Sequence, residues 1–238
     1  MPSFEVLLIL GVFGFYFYDS FMLLSLNELI LTRSSKKWTY KFPIVGFQLL
    51  KKFPFLPNLL TPDATLFQVS WPTSDQGLNI KELNIFIKSV LPIQIISVLI
   101  LLLMFICLPV IALTYGSGVK LLIIFSAIYS LIVCGLIYIF NQKHNLKISN
   151  TKFLSIAFES IVCPPFSLNM VRKISLNFPM NVDPYIFSKK MFEEETKKSF
   201  KTNLGIIIDK KMNFLEKDSE RFIELNNYLN QIKSEKEN

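Results

Sequence analysis

The chain has 238 residues, of which 51% are hydrophobic, 23 are Phe and only 18% are charged, whereas an ordinary soluble domain carries about 25% charged residues. The formal net charge is +7, from 25 Lys and Arg against 18 Asp and Glu. A chain this oily is not a plain soluble protein, and its basic excess has to be placed relative to a membrane before it says anything about partners.

The N-terminal segment FEVLLILGVFGFYFYDSFMLLSLNELIL is uncharged from Val6 to Tyr18 and interrupted by Asp19. Extended to Leu26 it would reach about 31 Å as a helix, enough to cross a bilayer core of ~30 Å with Asp19 roughly 10 Å from one end. The reading is an uncleaved anchor over residues 1–27. A cleaved secretory signal is disfavoured because no basic region precedes the apolar run and no small-residue cleavage pattern follows it. An ionisable group within a span is costly enough to demand a partner, so Asp19 is a candidate intramembrane polar contact. If the span stops near Tyr18, Asp19 is instead solvated.

Residues 28–88 read as an irregular cytoplasmic loop. Pro54, Pro57, Pro62 and Pro72 exclude long helices, and ATLFQVSW between them reads as one short strand. In RSSKKWTYKF, Lys36, Lys37 and Trp38 have the basic and aromatic character suited to anionic lipid headgroups. Nucleic acid is not expected as a partner, since no recognition motif accompanies these residues.

No charge occurs from Ser89 to Val119 or from Leu121 to Phe140. Each run exceeds the ~20 apolar residues that cross a bilayer, and the short TYGSGVK between them fits a tight turn, so residues 89–141 read as a transmembrane hairpin. Pro92 and Pro109 lie near the ends of the first run, and Pro109 is expected at a kink or a late boundary. The fold class is thus mainly α, an integral membrane protein with three transmembrane helices, a short strand in the loop and a helical C-terminal region.

The Lys and Arg residues crowd the segment after the first span and the tail from Lys143 onward, leaving only Lys120 in the hairpin turn. The positive-inside rule then puts the N-terminus outside and the C-terminus in the cytoplasm, and the economy of three spans points to a bacterial inner membrane, with an organellar membrane left open. Residues 142–188 are mostly apolar but broken, with ESIVCPPFSLNMVRKIS at their centre. Pro164 disfavours a helical Cys163, while prolines suit a first helical turn, so one helix should end near Val162 and another begin at Pro164 or Pro165. The break is expected to lay two amphipathic helices along the membrane, with Arg172, Lys173, Glu159 and Asn169 as contacts for lipid headgroups or a partner. PMNVDPYIF reads as a connector.

Residues 189–238 form a charged helical tail. Leu215, Phe222, Leu225, Leu229 and Ile232 fall in a heptad register, with Asp218 in the remaining seam position, and this face expects a partner helix, its own domain or another subunit. Catalytic chemistry has little to work with. The one histidine, His144, sits in a polar stretch, and Cys107, Cys134 and Cys163 form no C-x-x-C pair. No nucleotide-binding loop or nucleophile elbow occurs. No catalytic residue, metal or cofactor is expected.

The function expected is that of a non-catalytic accessory or structural subunit of a larger membrane complex, docking through aromatic-rich spans and the terminal helix. The alternatives are a membrane enzyme acting on lipid or envelope, or a small oligomeric channel or carrier using Asp19. Partners are the bilayer with its anionic headgroups and other subunits, with homo-oligomerisation left open.

Overall fold

The computed structural model describes residues 4–34, 37–43, 52–71, 77, 79–115, 118–216 and 219–234. Lys36, Pro72, the centre of the hairpin turn and Asp218 therefore lie outside the described residues. The fold is mostly helical and divides into two compact units, each assembled from separated stretches of chain. Unit 1 comprises Met1–Met22, Leu56–Leu66 and Asn79–Pro179, and unit 2 comprises Leu23–Phe55, Phe67–Leu78 and Met180–Asn238.

In unit 1, α1 runs Phe4–Ser20. It ends before the Leu26 expected from hydropathy because Met22–Leu24 turns into a strand, β1. Its 17 residues make about 25 Å of helix. The next helix, α2, covers Ile80–Leu102, starting well before Ser89 because Asn79 caps it, its side chain accepting from the Glu82 N–H. The helix continues through a π-helical turn, Leu103–Cys107, into α3, Leu108–Tyr115.

Pro109 explains that turn. A proline cannot donate to the carbonyl four residues back and its ring crowds that carbonyl. Just ahead of it the ladder widens, with the Leu108 N–H donating to the Leu103 carbonyl, and the helix absorbs the misfit without breaking. The fourth helix, α4, covers Val119–Gln142 and packs on α2.

Two helical stretches, Ile80–Thr114 and Val119–Gln142, are long and apolar enough to cross a membrane, with mean hydropathies of 3.1 and 2.5. Only 28% and 33% of their most apolar windows are buried, where the core helix of a soluble domain would be mostly covered. One face of each packs inward through Ile93, Ile100, Ile128, Ile132 and Ile139, none of which has exposed surface. The other face leaves Leu91, Ile95, Leu122 and Ile137 outward. Exposed apolar surface on this scale marks a membrane or a partner.

Unit 2 holds most of the strand residues, with Met22 of β1 and Thr65 and Leu66 of β5 falling in unit 1, and only one strand is legible in the loop sequence. Strand β2, Glu28–Ser34, pairs antiparallel with β3, Lys37–Lys41, in the register Ile30 to Lys41 and Ser34 to Lys37. Strand β5, Thr65–Ser70, lies on the other side of β2, and β4, Phe53–Phe55, pairs with β1. The tail contributes α7 (Pro184–Met191), α8 (Glu194–Met212) and α9 (Glu220–Ser234). The segment read as a connector thus contains a helix. Asp183 is its N-cap, accepting from the Tyr185 and Ile186 N–H groups, and Pro184 occupies its first position.

The heptad face finds its cover within the chain. Leu225, Leu229 and Ile232 are buried and α9 packs on α8. Phe222 is half-buried, and Leu215 lies in the bend between the two helices rather than on the seam. Gly205 faces this seam, where an added β-carbon would stand 3.8 Å from Leu229 Cδ1, an ordinary contact. Since Gly in a helix interior costs about 0.5–1 kcal/mol relative to Ala, Gly205→Ala is expected to stabilise unit 2 by about that amount, read as a higher unfolding midpoint.

Candidate functional site

The polar residues of unit 1 converge where the chain breaks between helices. Helix α5, Asn150–Val162, starts at Ser149, whose side chain accepts from the Lys152 N–H. It ends where the proline rule puts its end, with Cys163 extended at φ −132°, ψ 90°. A 3-10 turn over Pro164–Asn169 follows, and then α6, Met170–Leu176. This turn aims Asn169, Arg172 and Lys173 at the C-terminal end of α1.

Arg172 is 3% exposed. Its Nη1 donates to Asn169 Oδ1 at 2.7 Å and to the Ser20 hydroxyl at 3.2 Å. Nη2 donates to the carbonyls of Asn58 at 2.5 Å and Thr61 at 3.1 Å. The guanidinium lies 5.8 Å from the Tyr16 ring, and the Tyr16 hydroxyl donates to the Leu59 carbonyl at 2.8 Å. Buried as it is, the guanidinium stays a cation, because arginine does not deprotonate in proteins. Arg172, a candidate contact for a headgroup or a partner, turns inward to the carbonyls that the 58–61 turn offers it. Ser175 extends the junction, its hydroxyl accepting from the Leu66 N–H at 2.8 Å.

Lys173 sits between two carboxylates. Its Nζ is 2.8 Å from Asp19 Oδ1 and 2.6 Å from Glu159 Oε2. The side chains of Lys173 and Asp19 are 17% and 13% exposed, and that of Glu159 is 35%. Asn169 Nδ2 also donates to Asp19 Oδ2 at 2.9 Å, and the Ser155 hydroxyl to Glu159 Oε1 at 2.6 Å. Glu159 is thus held by the Lys173 ammonium on one oxygen and by the Ser155 hydroxyl on the other.

Asp19 is thus neither freely wet nor alone: its partners are Lys173 and Asn169. The cluster is electrically balanced, two cations against two carboxylates, and its members come from α1, α5 and the Asn169–Lys173 stretch. Among the described residues no group of three or more His, Cys, Asp or Glu could hold a metal ion.

The other sequence-derived candidates lie in unit 2. Trp38 is 7% exposed, packed 5.0 Å from Phe187 and 5.5 Å from Phe67, so its ring serves the interior and not a headgroup layer. Lys37 is exposed and pairs with Glu193 at 3.3 Å. The acceptor carbonyls of Asn58 and Thr61 were missed by sequence reasoning. Pro57 and Pro62 flank a turn there, but no side chain marks its carbonyls as a binding surface. Compared with protein-family models, curated proteins and solved structures, the chain matches none of them.

Proposed function

We propose that the protein is a non-catalytic accessory or structural subunit of a larger membrane complex. The observation that carries this reading is how the chain uses its polar groups: Asp19, Glu159, Asn169, Arg172 and Lys173 bond to one another or to backbone within unit 1. The outward faces of α2 and α4 are apolar, with Leu91, Ile95, Leu122 and Ile137 exposed. A cluster consumed in fastening helices suits a scaffold better than a reaction centre, and apolar faces suit lipid and neighbouring helices.

In this reading α1 is a third span and α2 with α4 a hairpin, with the N-terminus outside and the tail in the cytoplasm of a bacterial inner membrane. Supporting it are the uncharged stretch of α1 and the Lys and Arg distribution. Purification of the full chain from its native membrane in mild detergent tests the function. A stoichiometric set of other membrane proteins is the expected result. A self-oligomer alone would overturn it in favour of the channel or carrier reading.

A further inference from the structure

Helix α5 does not leave the neighbourhood of α4 after the turn that joins them. The Phe153 ring, near its start, lies 5.4 Å from Phe140, and the Tyr129 hydroxyl donates to the carbonyl of Ile161, near its end, at 3.4 Å. Helix α5 therefore runs back along α4, from the level of Phe140 to that of Tyr129, about 16 Å of helix axis. That is roughly half of a ~30 Å hydrocarbon core.

The chain then returns. Met170 Cε and Ile96 Cγ2 lie 3.5 and 3.6 Å from where a β-carbon on Gly135 would stand, so the start of α6 is level with the middle of α2 and α4. Phe178, just past α6, is 4.5 Å from Phe86, near the end of α2 where Glu82 pairs with Lys147 at 3.3 Å. The path from Ser149 to Phe178 goes in beside α4 and comes out on the side it entered.

One face of α5 remains open. Leu154, Phe158, Ile161 and Val162 are 64%, 70%, 49% and 63% exposed and fall within about 100° of the helix circumference. The opposite face holds buried Ile156 and Ser160, with Glu159 reaching Lys173. We infer that α5, the Cys163–Pro164 break and α6 form a re-entrant segment in one leaflet, with lipid acyl chains covering Leu154, Phe158, Ile161 and Val162. The inference rests on the reading of α2 and α4 as membrane spans.

Two features argue for acyl chains as the occupant. The face lies at the depth of the apolar part of α4, where Val133 and Ile137 are likewise exposed. The break also meets the requirement that irregular backbone at membrane depth be satisfied by protein. Pro164 and Pro165 bring no N–H, the Cys163 N–H donates to the Glu159 carbonyl, and the Phe166 N–H donates to the Cys163 carbonyl, both at 2.9 Å. The Ser167 hydroxyl donates to the Pro164 carbonyl at 2.6 Å.

The experiment is nitroxide depth profiling of the full chain in liposomes, with Cys107, Cys134 and Cys163 replaced by serine. Single labels go at Leu154→Cys, Phe158→Cys and Ile161→Cys, with Val133→Cys and Asn145→Cys as references for span and exit. The α5 sites are exposed, so labels there do not disturb packing. Oxygen accessibility should exceed that of a water-soluble relaxant at all three, and Ile161 should lie about 10 Å deeper than Leu154. Equal depths would mean a helix lying along the surface and would overturn re-entry. Labels immobilised and shielded from both relaxants would mean a protein partner in place of lipid. If α5 is wet while Val133 is lipid-exposed, re-entry alone fails; if Val133 is wet too, the membrane-span reading fails with it.

Discussion

An Arg172→Met variant is expected to lose about 3–5 kcal/mol of stability, read as a lower midpoint in denaturant titration of the detergent-solubilised protein. Methionine can fill much of the volume of the arginine stem, so the loss is polar in origin. It strands the carbonyls of Asn58 and Thr61 and the Oδ1 of Asn169, each of which takes a hydrogen bond from the guanidinium. An unmet buried acceptor costs about 1–3 kcal/mol, and the upper end of the sum is reduced because Asn58 is exposed and its carbonyl can turn to water. Arg172→Lys keeps the charge but replaces a planar fork with a single ammonium, which cannot serve Asn169 and the 58–61 turn together. The lysine variant should stay closer to the methionine variant than to the parent. Protease susceptibility at Leu56–Leu66 should rise in both. A methionine variant within about 1 kcal/mol of the parent would mean that the guanidinium contacts are incidental.

How much of this was legible in the sequence depended on the range of the interactions involved. The apolar spans declare themselves because hydropathy is summed over some twenty neighbours, and the break at Cys163 because proline sterics act on the adjacent residue. Strand β2 was hidden: Leu29, Ile30 and Leu31 are all buried, so it lacks the alternation that betrays a half-buried strand. Helix α7 was legible in principle, since Asp183–Pro184 is a cap followed by a first-turn proline, but the same dipeptide also fits a connector.

The heptad spacing in the tail located an apolar face without identifying what covers it, because periodicity is a property of one helix and packing a property of two. The site itself joins Ser20 to Asn169 and Asn58 to Arg172, contacts across more than a hundred residues. No pattern of spacing encodes these. What the sequence did offer was the anomaly of Asp19 after a long apolar run, whose desolvation cost implied a partner without naming it.

Lys173→Met carries the other large expectation, and its signature lies in the direction of its pH dependence. In the parent, one ammonium separates the Asp19 and Glu159 carboxylates. Removing it leaves two negative charges facing each other with most of their surface covered, a loss of about 2–4 kcal/mol near neutral pH once the partial exposure of Glu159 is allowed for. With Lys173 present the ammonium favours the charged Glu159 carboxylate, so protonating that carboxylate as pH falls gives up the pairing. The stabilisation from the pairing is therefore present near neutral pH and lost on acidification. In the variant the repulsion between the carboxylates raises at least one of them, so the folded state takes up the proton first and stability rises as pH falls through the same region. The two unfolding midpoints should converge on acidification. Glu159→Gln added to Lys173→Met should restore part of the loss near neutral pH by removing one of the facing charges. Curves that stay parallel from neutral to acid pH would show that Lys173 does not act through these carboxylates.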